Sequence, residues 1–380
     1  MERECFSDDQ KLFRDQYRQF LMKEVTPHRE AWREAGIVPR EMYRMMGRLG
    51  YLLTWADPDY GGLGDEDFRF QQIMIEEDSV YGDSGFQHTL HSRLVAPYLK
   101  HFGSVEQKDR FLPKCVSGEC ILAIAMTEPG TGSDLAGMKT RAEDRGDHWL
   151  LSGAKTYISN GINSDLVIVA AKTNADNPRH IGLFLVERGM EGFERGRKLK
   201  KMGLPSQDTA ELFFQSVRVP KANVLGDPHK GLHYLMRGLT EERLLCGVGC
   251  LSVAQRAFVV TREFVMQRKV FGKVLSEMQN TRFKMATLRM ELTMAQVYVD
   301  YCVALHNQGK LTADMAAAVK LYTSELEGRV VDECVQLHGG AGYMQEYEIC
   351  RLYTDARVTR IYAGSSEIMR EIIARSIFDA

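Results

Sequence analysis

The chain has 380 residues, and its 49 Lys plus Arg nearly balance 51 Asp plus Glu, a formal net charge of −2. That length allows two or three domains with a sizeable core. The balance argues against a nucleic-acid partner, which calls for a basic stripe, and no apolar stretch reads as long enough to span a bilayer. Met1–Ser7 shows no hydrophobic signal region, and its acidic residues do not suit a transit peptide. The eight cysteines contain no CxxC pair, which implies a reducing compartment and no structural metal. Cys246 and Cys250 are expected as small core residues on a helix, and the basic run Arg195–Lys201 as a solvated strand end or loop.

Residues 1–119 read as helical. Ser7-x-x-Gln10 is a capping-box pattern, followed by Leu12, Phe13, Phe20 and Leu21 at helical spacing. Pro27 and Pro39 punctuate this segment, and Phe70–Ser79 and Leu90–Phe102 are further expected helices. Residues 120–230 change to short β-rich runs: Ile121–Met126, Leu166–Ala171, Ile181–Val186 and Leu212–Val219. Turn clusters at 144–147 and 174–178 separate them, which points to an antiparallel barrel or sandwich rather than alternating strand and helix. Residues 231–380 return to long helices. One carries Leu244, Val248, Leu251 and Phe258. A second carries Met285, Leu288, Leu292, Ala295, Val299 and Cys302 and closes at Gly309. A third starts at Thr312, runs through Val319, Tyr322, Leu326, Val330 and Leu337, and stops at Gly339-Gly340. The expected arrangement is an antiparallel bundle.

Six segments can carry chemistry. Met126-Thr-Glu-Pro-Gly-Thr-Gly-Ser-Asp134 offers backbone amides and hydroxyls in a turn able to bind phosphate. It is not a dinucleotide fingerprint, because no strand–glycine–helix unit surrounds it. In Lys155–Gly161, strand alternation would place Tyr157 and Ser159 on one face, an aromatic and a hydroxyl suited to a flat heterocycle. Glu241-Glu242-Arg243 precedes an almost wholly apolar run, so one carboxylate is expected in a partly buried space, with a raised pKa that suits a general base. Gln267–Gly272 with Gln279, Gln336–Tyr343 and Arg360–Met369 complete the set.

In this order the six segments resemble the acyl-CoA dehydrogenase family, from about Asp8 to the C-terminus. The resemblance implies a mainly α fold with a β middle domain: an N-terminal helical domain (1–119), an antiparallel β-barrel or sandwich (120–230) and a C-terminal four-helix bundle (231–380). It implies FAD as cofactor. Ile124, Met126 and Thr127, with Gly132 and Ser133, resemble the segment that holds the flavin, and Ser133 would also meet the coenzyme A arm. Tyr157 and Ser159 match a pair that is Trp and Thr in many members. Arg268, Phe271 and Gln279 match residues that bind the FAD of a neighbouring subunit, as do Gln336, Gly339 and Gly340, so a homo-oligomer, a tetramer, is implied. Ser365 and Glu367 match the helix start that meets the flavin phosphates or ribose.

In the commoner family pattern the base follows Ile-Tyr in the last segment, but here that residue is Ala363. Long-chain and isovaleryl-CoA members instead place it in a Glu-Arg-Leu context on the bundle helix, matched by Glu242-Arg243-Leu244. The resemblance therefore implies that Glu242 removes the α-proton of an acyl-CoA while the β-hydrogen leaves as hydride to the flavin. The Ala363 N–H would bond the thioester oxygen. Arg243 and Gly364 would contact the coenzyme A or acyl portion, and His233 would line the substrate. The C-terminal half looks most like long-chain members, which implies a medium- to long-chain substrate in fatty-acid β-oxidation. A branched short-chain isovaleryl specificity is the alternative, and a binding or repair protein on the same fold is an alternative from another class. Electron-transfer flavoprotein is the implied acceptor. The compartment is expected to be bacterial cytoplasm, or the mitochondrial matrix for a processed eukaryotic chain.

Overall fold

The computed structural model describes residues 3–378. Its N-terminal part comprises helices α1 (Asp8–Phe20), α2 (Arg29–Ala35), α3 (Arg40–Arg48), α4 (Phe68–Tyr81), α5 (Ala96–Phe102) and α6 (Val105–Val116). The expected capping box forms at α1: Gln10 N donates to Ser7 Oγ (3.3 Å) and Ser7 N to Gln10 Oε1 (3.0 Å). The expected helix over 90–102 is α-helical only in its second half, because Leu90–Val95 is a π-helical segment. A second π segment, Leu21–Val25, extends α1. Each is followed two residues later by a proline, Pro27 or Pro97, whose missing N–H removes the donor that would continue the regular ladder.

Strands β1 (Leu122–Ala125), β2 (Arg141–Asp144), β3 (His148–Ile158), β4 (Leu166–Lys172), β5 (Ile181–Glu187), β6 (Phe193–Lys198) and β7 (Ala210–Pro220) build one seven-stranded sheet. It runs β1-β4-β2-β3-β7-β6, with β5 paired antiparallel to β4 off this path. The sheet is mixed, which corrects the wholly antiparallel expectation: β1 lies parallel to β4, with Leu122 opposite Leu166 and Ala125 opposite Val169. Apolar runs report burial on both faces but not the direction of the neighbouring strand, and the chain between these two strands is long enough for a crossover. The run Arg195–Lys201 forms the end of β6 and the loop after it as expected, with Arg197, Lys198 and Lys200 exposed, but its first residue is tied in. Arg195 donates to the carbonyls of Gly161 (3.1 Å) and Ser164 (2.8 Å) and pins the loop that follows β3.

The C-terminal part contains α7 (Gly231–Gln267), a short hairpin β8 (Lys269–Val270) and β9 (Lys273–Val274), α8 (Gln279–Asn307), α9 (Ala313–His338), α10 (Glu348–Ala356) and α11 (Ser366–Phe378). Leu244, Val248 and Leu251 of α7 pack with Leu288, Leu292, Ala295, Val299 and Cys302 of α8 and with Val319, Leu326 and Val330 of α9. Helix α7 is long and apolar enough to cross a membrane by length and composition, contrary to the expectation for the chain. However, 67% of that window is buried inside the protein, as befits the central helix of a bundle. Tyr322, expected on the apolar face of α9, is instead 42% exposed.

Candidate active site

A cavity of about 420 Å³ lies where the sheet meets the N-terminal helices and the bundle. Its sheet-side wall is Ile124, Met126, Thr127, Tyr157, Ile158 and Ser159. The segment after β1 is fixed by a buried ion pair. Lys155 Nζ donates to Glu128 Oε1 (2.9 Å) and to the Met126 carbonyl (3.0 Å). The same carboxylate accepts from the amides of Lys139 (2.6 Å) and Thr140 (2.9 Å). Regular alternation does not aim Tyr157 and Ser159. A bulge between Lys155 and Ile158 interrupts β3, Tyr157 adopts φ +60°, and Ser159 lies beyond the strand end, yet both side chains line the cavity. Gln207 Nε2 donates to Ser159 Oγ (3.0 Å), which orients the hydroxyl.

The bundle-side wall is one stripe of α7: Glu242, Leu245, Cys246, Gly249, Cys250 and Val253. The spacing i, i+3, i+4, i+7, i+8, i+11 is what a single helix face dictates. Cys250 is buried as expected, whereas Cys246 is partly exposed to the cavity, its sulfur 3.8 Å from that of Cys250. Glu241 belongs to another face, with its oxygens 3.7 Å from Arg93 Nη1 and 3.7 Å from His306 Nε2. The remaining surface of Glu242 opens into the cavity, where protein atoms replace water, so its carboxyl is raised from the ordinary 4.5 to about 7. Burial is the largest cause, and the charges of Arg243 and Lys320 oppose it.

The third wall comes from the chain after α10: Thr359, Tyr362 and Ala363. Ala363 and Gly364 have φ +54° and +93°, a left-handed pair that turns the chain into α11. The cavity thus gathers Glu242, Ala363, Ile124, Met126, Thr127, Tyr157 and Ser159 from four separate stretches of sequence. Gly132, Ser133, His233, Arg243, Gly364, Ser365 and Glu367 do not line it. His233 is exposed on the first turn of α7, and Arg243 is buried with its Nε unpartnered. Arg268, Phe271 and Gln279 are exposed at the β8–β9 hairpin and the start of α8, and Gln336, Gly339 and Gly340 are exposed at the end of α9.

Several wall residues have no counterpart among the site residues expected from the sequence, Leu90, Leu94 and Glu327 among them. Leu90 and Leu94 come from the π segment before α5, and Glu327 comes from α9. Glu327 was detectable, because it lies eight residues after Val319 and three before Val330, on the buried face of its helix.

Family comparisons agree with this architecture. Sequence models for the acyl-CoA dehydrogenase N-terminal, middle and C-terminal domains match residues 7–119, 123–217 and 229–378. The chain belongs to the acyl-CoA dehydrogenase family. It is 46% identical over 378 residues to the mouse mitochondrial long-chain specific acyl-CoA dehydrogenase, covering 99% of this chain and 88% of that protein. It is 35% identical over 375 residues to the mitochondrial isovaleryl-CoA dehydrogenase of Pongo abelii, covering 97% and 89%. The crystal structure of an acyl-CoA dehydrogenase from Geobacillus kaustophilus superimposes with a TM-score of 0.97 at 44% identity, covering 99% of this chain and all of that one. A glutaryl-CoA dehydrogenase from Mycobacterium smegmatis, solved in complex with FADH2, gives a TM-score of 0.91 at 28% identity, covering 99% and 96%.

The enzyme is therefore an FAD-dependent acyl-CoA dehydrogenase of fatty-acid oxidation. The residues present fit the cofactor. The cavity volume lies within the range of about 300–1,000 Å³ usual for such sites. Tyr157 is 68% exposed at its wall, free to take a ring against it. A side chain added at Gly132 would meet nothing within 4 Å, so the backbone there is open to close approach.

Proposed function

We propose that the enzyme dehydrogenates medium- to long-chain acyl-CoA thioesters, with Glu242 as the base. The observation that carries this reading is that Glu242 lines the cavity without a hydrogen-bond partner among the described residues, while Glu241 faces Arg93 and His306. Ala363, a methyl side chain, occupies the opposite wall and cannot take a proton.

Thr127, Tyr157 and Ser159, with Ile124, Met126, Gly132 and Ser133, would hold the flavin from the sheet side. Ser365 and Glu367 would meet it at the start of α11. When bound, FAD supplies the hydride acceptor. Glu242 takes the α-proton onto its carboxylate, and a carboxyl near neutrality is basic enough to do so while still ionised in part at pH 7. The Ala363 N–H donates to the thioester oxygen as negative charge gathers there, a task that needs only the main chain. Leu90, Leu94, Leu245 and Val253 keep water from the acyl chain.

The α7 stripe supports the chain-length reading. Eleven residues separate Glu242 from Val253, about 16 Å at 1.5 Å per residue. At about 1.2 Å per bond of extended chain, that wall accompanies roughly 13 bonds. The mouse long-chain enzyme is also more similar in sequence than the isovaleryl-CoA enzyme. Phe271, 99% exposed at the hairpin tip, supports the reading that Arg268, Phe271 and Gln279, with Gln336, Gly339 and Gly340, complete the flavin site of a neighbouring copy in a homotetramer. Electron-transfer flavoprotein would accept the electrons. The test is kcat/KM across saturated acyl-CoAs from four to sixteen carbons with isovaleryl-CoA included. A rise toward the longer chains is expected, and a sharp optimum at isovaleryl-CoA overturns the chain-length reading.

A further inference from the structure

The turn at 361–365 is anchored from one side by α9. Lys320 Nζ donates to the Gly364 carbonyl (2.7 Å), Ser366 Oγ donates to Glu325 Oε1 (2.7 Å), and Thr359 Oγ1 donates to Glu327 Oε2 (2.6 Å). The three α9 side chains are not equivalent. Glu325 is part-exposed beside Arg360 and Arg370. Glu327 is buried with Thr359 as its partner. Lys320 is fully buried, and the Gly364 carbonyl is its one hydrogen-bond acceptor among the described residues. Its amine carries three donors, and no carboxylate is in ion-pair contact with it among those residues. A cation is expensive to bury on a single neutral acceptor, so its place needs a reason.

The turn supplies one. Two consecutive left-handed residues, one of them an alanine, relax unless their surroundings hold them. Lys320 grips the carbonyl of the second, and the first lines the cavity. The charge of Lys320 also lowers the Glu242 carboxyl and the Cys246 thiol. The other groups around Glu242 are Arg243 and Cys246 on its own helix and the Tyr98 phenol from α5.

We propose that Lys320 is a positioning residue for the dehydrogenation, clamping the Gly364 carbonyl so that the Ala363 N–H meets the thioester oxygen, and keeping a positive charge near Glu242. This rests on the reading of Glu242 as base and Ala363 as main-chain donor.

The test uses purified holoenzymes of Lys320→Met, which loses donor and charge, and Lys320→Gln, which keeps a donor without the charge. Steady-state rates from pH 5.5 to 9 are read alongside FAD absorbance. For Lys320→Met, kcat at pH 7 falls about tenfold to a hundredfold, the size of a small misplacement at a reacting centre. KM and FAD content hold, and the acid limb of kcat/KM moves to higher pH. For Lys320→Gln, kcat above the limb recovers while the limb stays displaced. An unchanged kcat in Lys320→Met, or a loss that tracks FAD content with the limb unmoved, overturns the proposal. If Lys320→Met fails to fold, the limb in Lys320→Gln decides alone: displaced supports, undisplaced overturns. Failure here with Glu242→Gln inactive leaves the base assignment standing, whereas an active Glu242→Gln removes the base assignment itself.

Discussion

Changing the pH titrates the proposed base directly. Burial raises the Glu242 carboxyl from 4.5 to about 7, a shift worth about 3 kcal/mol between its charged and neutral forms. Only the ionised form accepts the α-proton, so kcat/KM must rise with pH through this range. At pH 6 about a tenth of the free enzyme is ionised, and at pH 8 about nine tenths, which predicts close to a tenfold rise. The assay is flavin-linked dye reduction at subsaturating acyl-CoA from pH 5 to 9, with enzyme pre-incubated at each pH to exclude denaturation. A profile that is flat from pH 5.5 to 8.5, or one whose limb lies near 4.5, refutes the reasoning, because it describes a solvated carboxylate or another base.

Glu327 is 1% exposed and is raised by burial to about 8. Its folded pKa lies above the unfolded one, so the stability it contributes is present below about 4.5 and is lost as pH rises through 8. Glu327→Gln is therefore expected to be about 2–4 kcal/mol more stable than the parent at pH 8.5 and nearly equal at pH 4.5, as read from urea midpoints. Lys155→Met strands Glu128 without its buried partner. It should cost about 3–5 kcal/mol and loosen FAD, measured by thermal unfolding and by flavin fluorescence release. Gly364→Ala puts a methyl at φ +93°, with its Cβ 2.6 Å from Met369 Cε. It should lower kcat at least tenfold while acyl-CoA still binds, measured by steady-state kinetics beside ligand titration.

The order helix, sheet, helix was legible because periodicity switches from 3.6 to 2 and back along the chain, and because the Ser7–Gln10 cap is written in adjacent residues. The parallel pairing of β1 with β4 was not, since it joins residues about forty positions apart and strand composition carries no direction. The π turns depend on which carbonyls lose a donor to Pro27 and Pro97, a backbone effect that side-chain patterns do not display. At the site, residue types alone left Glu241 and Glu242 open and the Glu-Arg-Leu resemblance chose Glu242; the structural difference between them is the helix phase that sends one carboxylate to the cavity and the other to Arg93. Tyr157 and Ser159 reach the cavity through a bulge rather than through alternation, so the right residues were named for a different geometrical reason. Lys320 was invisible because its partner is a carbonyl, and a main-chain acceptor leaves no mark on the residue that supplies it.

The central claim is that a carboxylate from α7 performs the deprotonation that Ala363 cannot. Its most direct test is anaerobic mixing of Glu242→Gln, loaded with FAD, with a long-chain acyl-CoA while the 450 nm band is followed. Retained yellow colour with no bleaching is predicted, a loss of at least a hundredfold in the reduction rate. Bleaching at the parental rate contradicts the account.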